Sequence, residues 1–286
     1  MSVIKKLHKN SLLNPTHDFC LDTHYEVMMG SIAYNVAQDT SDMDVHAICI
    51  PPLGMIFPHL NGHIRGFGDA PENFETFQQH HIDFGTKNYD IAIYSIVKVF
   101  DLAAQNNPNV LDMLWVPENC ILHIDNIGTY IRQNRKHFLN KRSYHKFRGY
   151  AYAQFKKLEN TPRKDLVEKF GFDTKHAYHI IRLAEQCQQI LEEGDMDITR
   201  CAEMLKSIRR GEWTLERVKE RFLAKERILD ELYTKSKLQY EPNMTFLREV
   251  LMSCIEMKYG RVDAIQRSGD GMAAIKLKRI QKILES

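Results

Sequence analysis

The residues of this chain best suited to chemistry are two aspartates one residue apart, Asp42 and Asp44. The apolar stretch from Asp44 to Ile50 predicts a strand, and alternate side chains of a strand point to one face. Two neighbouring carboxylates repel each other unless a cation lies between them, and Mg²⁺ prefers oxygen ligands. The pair therefore predicts a magnesium site, and two ions about 3.5–4 Å apart would suit phosphoryl or nucleotidyl transfer.

A site of this kind usually takes a third carboxylate from a neighbouring strand. The first candidate is Asp90, which opens the alternating stretch Asp-Ile-Ala-Ile-Tyr, and Asp83 is the reserve. A carboxylate beside the metal ions can also accept the proton of an attacking hydroxyl. We therefore expect Asp90 to be both a metal ligand and the general base.

A Gly-Ser pair precedes these carboxylates in the chain. Residues 24–29 predict a short strand, after which Gly30 permits a tight turn and a close approach of the backbone. Ser31 then begins a short predicted helix, where a hydroxyl and backbone N–H groups can bind phosphate oxygens. Gly30 and Ser31 are thus candidates for phosphate binding.

A later helix carries three nitrogen bases on one face. Lys175, His179 and Arg182 have the spacing i, i+4 and i+7 within the predicted helix 174–193. Directed at an acidic metal site, they could bind a triphosphate and neutralise a pyrophosphate leaving group. The alternative is a solvated polar face, to which most charged stripes belong.

A second basic region, 132–164, contains eleven Lys and Arg residues and a single acidic residue, Glu159. Five aromatic residues are interleaved with them: Tyr144, Phe147, Tyr150, Tyr152 and Phe155. Basic residues among aromatics can bind nucleic acid, but the same spacing is typical of a helical core with lysines at its margin. Both interpretations stay open, and Lys141, Lys146 and Arg148 are the candidates for contact with phosphate.

Charge is distributed unevenly along the chain. Residues 1–131 contain 6 Lys and Arg against 15 Asp and Glu, whereas residues 132–286 contain 33 against 22. An acidic first half suits divalent cations, and a basic second half suits phosphates on a nucleotide or a nucleic acid.

Composition excludes several function classes. The 286 residues are 43% hydrophobic and 27% charged, as in globular proteins, so a fibrous or disordered chain is excluded. Six cysteines without a Cys-x-x-Cys pair argue against a disulfide framework and a zinc site. The sequence contains neither a P-loop motif nor Gly-x-Gly-x-x-Gly, which argues against P-loop NTPases and dinucleotide enzymes. We expect a cytoplasmic protein without a secretory signal or a membrane partner.

The elements that would position these residues fall into two parts. Strands are predicted at 24–29, 44–50 and 90–94, with a loop at 51–82 that could close over the site and a helix that begins at Ser95. Helices are predicted at 126–138, 143–159, 174–193, 198–207, 214–236, 243–258 and 272–284. We therefore predict an α+β fold in which a small mixed β-sheet domain, 1–130, is followed by a mostly helical domain, 131–286.

Three segments of the chain resemble a known family. They are Gly30-Ser31-Ile-Ala-Tyr34 with Ser41-Asp42-Met-Asp44, then Asn107-Pro-Asn-Val-Leu-Asp112, and last Lys175-His-Ala-Tyr-His179-Ile-Ile-Arg182-Leu. In this order they resemble nucleotidyltransferases of the DNA polymerase β superfamily, in particular the predicted nucleotidyltransferases linked to bacterial RNA repair (the RlaP/YcgL type). Relatives often have Glu where this chain has Asp112. The small N-terminal β-sheet domain would accordingly be the nucleotidyltransferase catalytic domain.

The resemblance implies an enzyme that transfers a nucleoside monophosphate from an NTP, such as ATP, to a hydroxyl and releases pyrophosphate. It implies two Mg²⁺ ions, for which Mn²⁺ can substitute, held by Asp42, Asp44 and Asp90. The phosphates would be bound by Gly30, Ser31, Ser41, Lys175, His179 and Arg182. An RNA or tRNA end would be the favoured acceptor, and a hydroxyl of a protein or a small molecule stays open as the alternative. Two alternatives stay open: a non-catalytic nucleic-acid-binding protein of the same fold, and an adenylyltransferase that acts on protein.

Overall fold

A five-stranded mixed sheet forms the centre of the N-terminal half. The computed structural model describes residues 2–37, 42–64, 66–69 and 72–261, so Ser41 and the predicted helix 272–284 lie outside the described residues. The strands are β1 (Thr23–Met28), β2 (Met43–Cys49), β3 (Thr76–Phe84), β4 (Lys87–Ser95) and β5 (Ile121–Ile124). Their order across the sheet is β3-β4-β2-β1-β5. The β2–β4 pair is parallel, and the other neighbouring pairs are antiparallel.

Helices flank the sheet and dominate the second half of the chain. They are α1 (Val3–Lys9), α2 (Gly30–Ala33), α3 (Leu53–Ile56), α4 (Ile96–Ala104), α5 (Pro108–Trp115), α6 (Asn126–Gln133), α7 (Arg142–Asn160), α8 (Lys164–Phe170), α9 (Thr174–Glu193), α10 (Ala202–Arg209), α11 (Leu215–Lys235) and α12 (Met244–Tyr259). The predicted α+β fold with a helical C-terminal half is confirmed. Among the described residues, no helix is both long and apolar enough to cross a membrane.

The two faces of β2 have different environments. Val45, Ala47 and Cys49 are buried in an apolar cluster that includes α1. Asp44 and His46 alternate with them and therefore share the opposite face. This alternation puts the chemistry of the strand on one side of the sheet and its core packing on the other.

Helix α9 is the central helix of the second half, with α7, α10 and α11 packed around it. It begins where the Asp173 carboxylate accepts hydrogen bonds from the backbone N–H groups of Lys175 (2.9 Å) and His176 (3.0 Å). It ends at Gly194, whose φ of +63° gives the left-handed conformation that closes many helices. These two signals explain why its observed bounds coincide with the predicted ones.

The prediction for residues 51–82 is wrong at its C-terminal end, because residues 76–82 belong to β3. This strand lies at the edge of the sheet and buries only Ile82 of its nine residues, so its sequence lacks the apolar alternation of a half-buried strand. The helices α1, α5 and α8 and the strand β5 were also outside the predicted elements. All four are short, and short elements carry few periods of a hydrophobic pattern.

The predicted boundary at 130/131 falls inside α6. One apolar cluster joins the two halves, since it contains Val27 and Ile48 of the sheet together with Phe147 and Ile180 of the helices. The division into a catalytic domain, 1–130, and a helical domain, 131–286, therefore stays a prediction, while the apolar packing between the two parts is continuous.

Candidate active site

The turn between β1 and α2 requires glycine at position 30. Gly30 has a φ of +62°, and a Cβ atom added there would lie 2.0 Å from Oδ2 of Asp44. The backbone N–H of Met29 also donates to the Asp44 carbonyl oxygen (2.8 Å). The start of α2, which includes Ser31, is thus held directly against the carboxylate of β2.

Asp42, Asp44 and Asp90 form what we call the carboxylate wall. Asp44 and Asp90 are direct partners in the parallel β2–β4 pair, and Asp42 lies two residues before Asp44. Burial raises the pKa of Asp44, the charges of Asp90 and Asp42 raise it further, and Lys175 partly opposes the change. Like charges are therefore concentrated at one point of the sheet, where a cation would relieve their repulsion.

The edge strand β3 helps to position Asp90. A bulge interrupts the β3–β4 pairing where His81 adopts a left-handed φ of +57°. The His81 backbone N–H then donates to Oδ1 of Asp90 (2.9 Å), and Nδ1 of His80 lies 3.4 Å from the same atom. The reserve candidate, Asp83, accepts instead from the Asn88 side chain (2.8 Å) near the β3–β4 turn. Asp90, and not Asp83, lines the cleft beside Asp44.

A cleft of about 600 Å³ separates the carboxylate wall from the helical half. Its helical side carries four basic residues, which we call the cation wall: Arg163, Lys169, Lys175 and Arg209. Asp165 is an acidic residue on the same side. Gly30, Ser31, Asp42, Asp44, Asp90, Lys175 and His179 were predicted from the sequence, and all of them line this one cleft.

Three members of the cation wall were not singled out from the sequence. Arg163 donates to Asp173 (3.0 Å), and Arg209 donates to the Val36 carbonyl oxygen (2.5 Å), so both are held in place by the fold. Lys169 lies on α8, which the sequence pattern did not identify as a helix. The signal that could have revealed a helix end there is Gly171, two residues beyond Lys169, which ends α8 with a φ of +83°.

His179 lines the cleft as a neutral side chain. Burial, together with the charges of Arg182 and Lys175, holds its pKa well below the usual value of histidine. Its ring packs against that of Tyr178, with 4.1 Å between the centroids. At neutral pH it can therefore donate or accept a hydrogen bond but does not add a positive charge to the wall.

The prediction that Arg182 binds phosphate requires correction. Its side chain is 4% exposed and does not line the cleft. Its guanidinium donates instead to Oδ2 of Asp112 at 2.5 Å, and Asp112 lies on α5. The spacing of residues within one helix cannot predict an ion pair with a residue on another helix.

The candidates for nucleic-acid contact, Lys141, Lys146 and Arg148, also lie away from the cleft. Arg148 donates to Glu226 (2.7 Å) and packs over the Tyr144 ring. Lys141 lies over the Tyr233 ring, and Lys146 lines a separate hollow between α4 and α7. Their positions do not support the prediction that these residues contact a phosphate in the active site.

The donor atoms of the carboxylate wall fit magnesium. Within the part of the chain that the structure describes, no group of three or more His, Cys, Asp and Glu side chains converges closely enough to enclose a metal. Mg²⁺ is usually held by one or two carboxylates and completes its shell with water and substrate phosphates. Oxygen-only donors beside a cleft of about 600 Å³ that is lined by basic side chains match that mode of binding.

Comparison with known proteins identifies the family of this chain. The model of the RNA repair pathway DNA polymerase beta family matches residues 7–226. The chain belongs to this family. Its members are nucleotidyltransferases of the polymerase beta type, and the residues of the cleft, from Gly30 to Arg209, all lie within the matched range.

The individual proteins that match this chain share little sequence identity with it. An uncharacterized 38.9 kDa protein of Enterobacteria phage T4, from the nrdC-mobD intergenic region, is 30% identical over 120 residues. That match covers 40% of this chain and a third (33%) of the phage protein. A crystal structure of a nucleotidyltransferase-like protein from Exiguobacterium sibiricum has a TM-score of 0.30 and 10% identity, covering 89% of this chain and 79% of that one.

Proposed function

We propose that this polymerase beta family member transfers a nucleoside monophosphate from an NTP to a hydroxyl acceptor and releases pyrophosphate. The observation that carries the proposal is the cleft itself, in which three carboxylates face four basic side chains across a space of about 600 Å³. A metal–triphosphate complex has the matching charges, since its cations suit one wall and its phosphates the other.

Asp42 and Asp44 would hold two Mg²⁺ ions, and Asp90 would be a ligand of one of them. When bound, the metal supplies positive charge that stabilises the attacking and leaving oxygens. Asp90 would accept the proton of the acceptor hydroxyl, and the hydrogen bond from the His81 N–H holds its carboxylate in place for that step.

The cation wall would bind the triphosphate. Lys175 is exposed at the first turn of α9 and can reach phosphate oxygens, while Arg163 and Arg209 are already oriented by Asp173 and Val36. Charge-assisted hydrogen bonds from such groups strengthen as charge moves onto the pyrophosphate. Gly30 and Ser31 would bind the β- and γ-phosphates from the opposite side, next to Asp44.

The nucleobase would pack on α8. Leu166 and Phe170 are one turn apart on this helix and give the cleft an apolar surface among charged residues. The Phe170 ring is packed so closely on Gly211 that a Cβ there would lie 2.2 Å from its Cδ1. A ring fixed in this way suits stacking, which every base can use.

An RNA or tRNA end is the acceptor that we favour. The name of the family connects it with RNA repair, and the second half of the chain is basic. A protein acceptor, or RNA binding without transfer, would be recognised by the following experiment.

The test is incubation of the purified protein with Mg²⁺, each α-³²P-labelled NTP, and a mixture of cellular RNA and protein. We expect label on nuclease-sensitive material, with none in the Asp42→Asn/Asp44→Asn variant. Label on protease-sensitive material would replace the RNA acceptor with a protein. RNA binding that survives in the variant, with no transfer by the parent protein, would contradict the proposed activity.

A further inference from the structure

Side chains from three distant segments of the chain meet in one buried cluster. The Tyr34 hydroxyl donates to Oδ2 of Asp112 (2.7 Å), and the Arg182 guanidinium donates to the same oxygen (2.5 Å). The Arg182 guanidinium also lies over the Tyr34 ring, 4.2 Å from its centroid. Gln186 completes the cluster by donating to Oδ1 of Asp112 (2.9 Å) and accepting from Arg182 (2.9 Å). We call Tyr34, Asp112 and Arg182 the strut.

The strut connects the elements that carry the two sides of the cleft. Tyr34 directly follows α2, and its N–H donates to the Gly30 carbonyl oxygen (3.2 Å), so it closes the turn against Asp44. Arg182 lies on α9 one turn beyond His179 and two turns beyond Lys175. Asp112 on α5 bridges them. Each strut residue is at most 4% exposed, so water does not weaken these contacts.

We propose that the strut is a positioning device that fixes the distance between the Gly30–Ser31 turn and the Lys175–His179 face of α9. This inference rests on the proposed function, because it assumes that the two surfaces bind one triphosphate. A displacement of about 1 Å between two binding surfaces can cost a large factor in rate or affinity. The strut residues touch neither metal nor substrate and act through the residues they hold.

A second ion pair on α9 provides a matched control. Glu185 accepts hydrogen bonds from Lys225 (2.8 Å) and Arg221 (2.7 Å) of α11, and the Lys225 and Glu185 side chains are nearly buried. This pair joins α9 to another helix of the same half and has no connection with α2. Its loss would weaken the contact between α9 and α11 without releasing the contact between α9 and the turn at Gly30.

The first experiment measures the affinity of the full chain for tripolyphosphate with Mg²⁺ by calorimetry. Arg182→Lys shortens one side of the ion pair, and Asp112→Glu lengthens the other. We expect Arg182→Lys to weaken tripolyphosphate binding about tenfold, and the double variant Arg182→Lys/Asp112→Glu to recover most of it. Tyr34→Phe, which keeps the ring and removes one hydroxyl, should weaken binding severalfold while leaving the fold intact. The control Glu185→Gln/Lys225→Met should bind like the parent protein.

The second experiment needs no ligand. Amide hydrogen exchange of residues 30–37 should accelerate in Arg182→Lys and in Tyr34→Phe, return to the parent rate in the double variant, and stay unchanged in the control. Unchanged exchange at these residues, or equal weakening of binding by the control, would overturn the positioning role. If the parent protein binds no tripolyphosphate while exchange follows the expected pattern, the proposed function fails and the mechanical coupling stands.

Discussion

The two basic regions of the helical half use their charges differently. On α7, Arg148 is paired with Glu226 of α11, and the Tyr144 hydroxyl donates to Asp230 of the same helix. On α8 and α9, Lys169 and Lys175 face the cleft. The first region, 132–164, was the denser run of charge in the sequence, yet the acidic partner of Arg148 comes from a helix about eighty residues further along the chain. Arg163, at the end of this region, does line the cleft. A basic stretch predicts a phosphate site only where the fold leaves its charges facing a cavity.

The largest effect is expected where the carboxylate wall is altered. Asp44→Asn should lower nucleotidyl transfer by about 10³-fold, because it removes a charge next to the reacting phosphate. Burial and repulsion raise the pKa of Asp44, so its ionised form destabilises the fold, and the variant should melt at the same or a higher temperature. Labelled-NTP transfer and thermal unfolding measure the two quantities.

Asp83→Asn is the matched control for that prediction, since Asp83 is exposed near the β3–β4 turn. It should leave transfer unchanged. A tenfold loss in this variant, with a small loss in Asp44→Asn, would mean that the carboxylate wall is assigned to the wrong residues.

Substitution of one lysine from each basic region tests whether only the region that faces the cleft binds the nucleotide. Lys175→Ala should raise the KM for the NTP about tenfold, which corresponds to the loss of one charge-assisted hydrogen bond. Lys146→Ala, on α7, should leave that KM unchanged, because Lys146 lines a different hollow. Steady-state kinetics over a range of NTP concentrations distinguish them, and equal effects of the two substitutions would remove the distinction between the regions.

The α7–α11 contacts should matter for stability and not for nucleotide binding. Glu226→Gln should lower the free energy of unfolding by about 1 kcal/mol, a modest value because Arg148 is partly exposed. The KM for the NTP should not change. Urea unfolding measures the first quantity, with Glu231→Gln, from an exposed pair with Lys235, as the control. A raised KM in Glu226→Gln would show that this region takes part in binding the nucleotide.

An effect of similar size depends on pH, and it disappears in acid. Burial alone would raise the pKa of Asp173, but hydrogen bonds from the backbone N–H groups of Arg163 and His176, and the charges nearby, bring it below its usual value of 3.8. Its ionised form therefore stabilises the folded state above that pH, and this contribution disappears as the pH falls through the lowered value. Asp173→Asn should be less stable than the parent protein at pH 6 by about 1 kcal/mol and nearly equal in strong acid. A stability difference independent of pH, in unfolding measured across this range, would contradict the assignment.

Local signals in the sequence were sufficient for much of the site. The Asp-x-Asp spacing, the glycine before Ser31 and the capped helix 174–193 each depend on neighbours within a few residues, and each residue they indicated, apart from Arg182, lines the cleft. The choice of Asp90 over Asp83 rested on the alternating pattern of β4, which a buried strand displays clearly.

What the sequence did not reveal depends on distant partners. The pairing of Arg182 with Asp112 joins residues seventy positions apart, and no spacing rule within α9 could indicate it. The edge strand β3 was missed because exposed strands need no apolar alternation. Arg163, Lys169 and Arg209 joined the site because α8 and α10 were folded over it, which is a property of the tertiary structure alone.

The apolar cluster shared by both halves bears on how the chain folds during its synthesis. Residues 1–130 leave the ribosome first, with Val110, Leu111 and Met113 of α5 still lacking the helices that bury them. Asp112 likewise has no counter-charge until Arg182 has emerged. The face of the sheet that packs on the helices therefore completes its core late, after α9 has been translated. A nascent chain released before that point would expose an apolar surface that contains the unpaired Asp112 carboxylate.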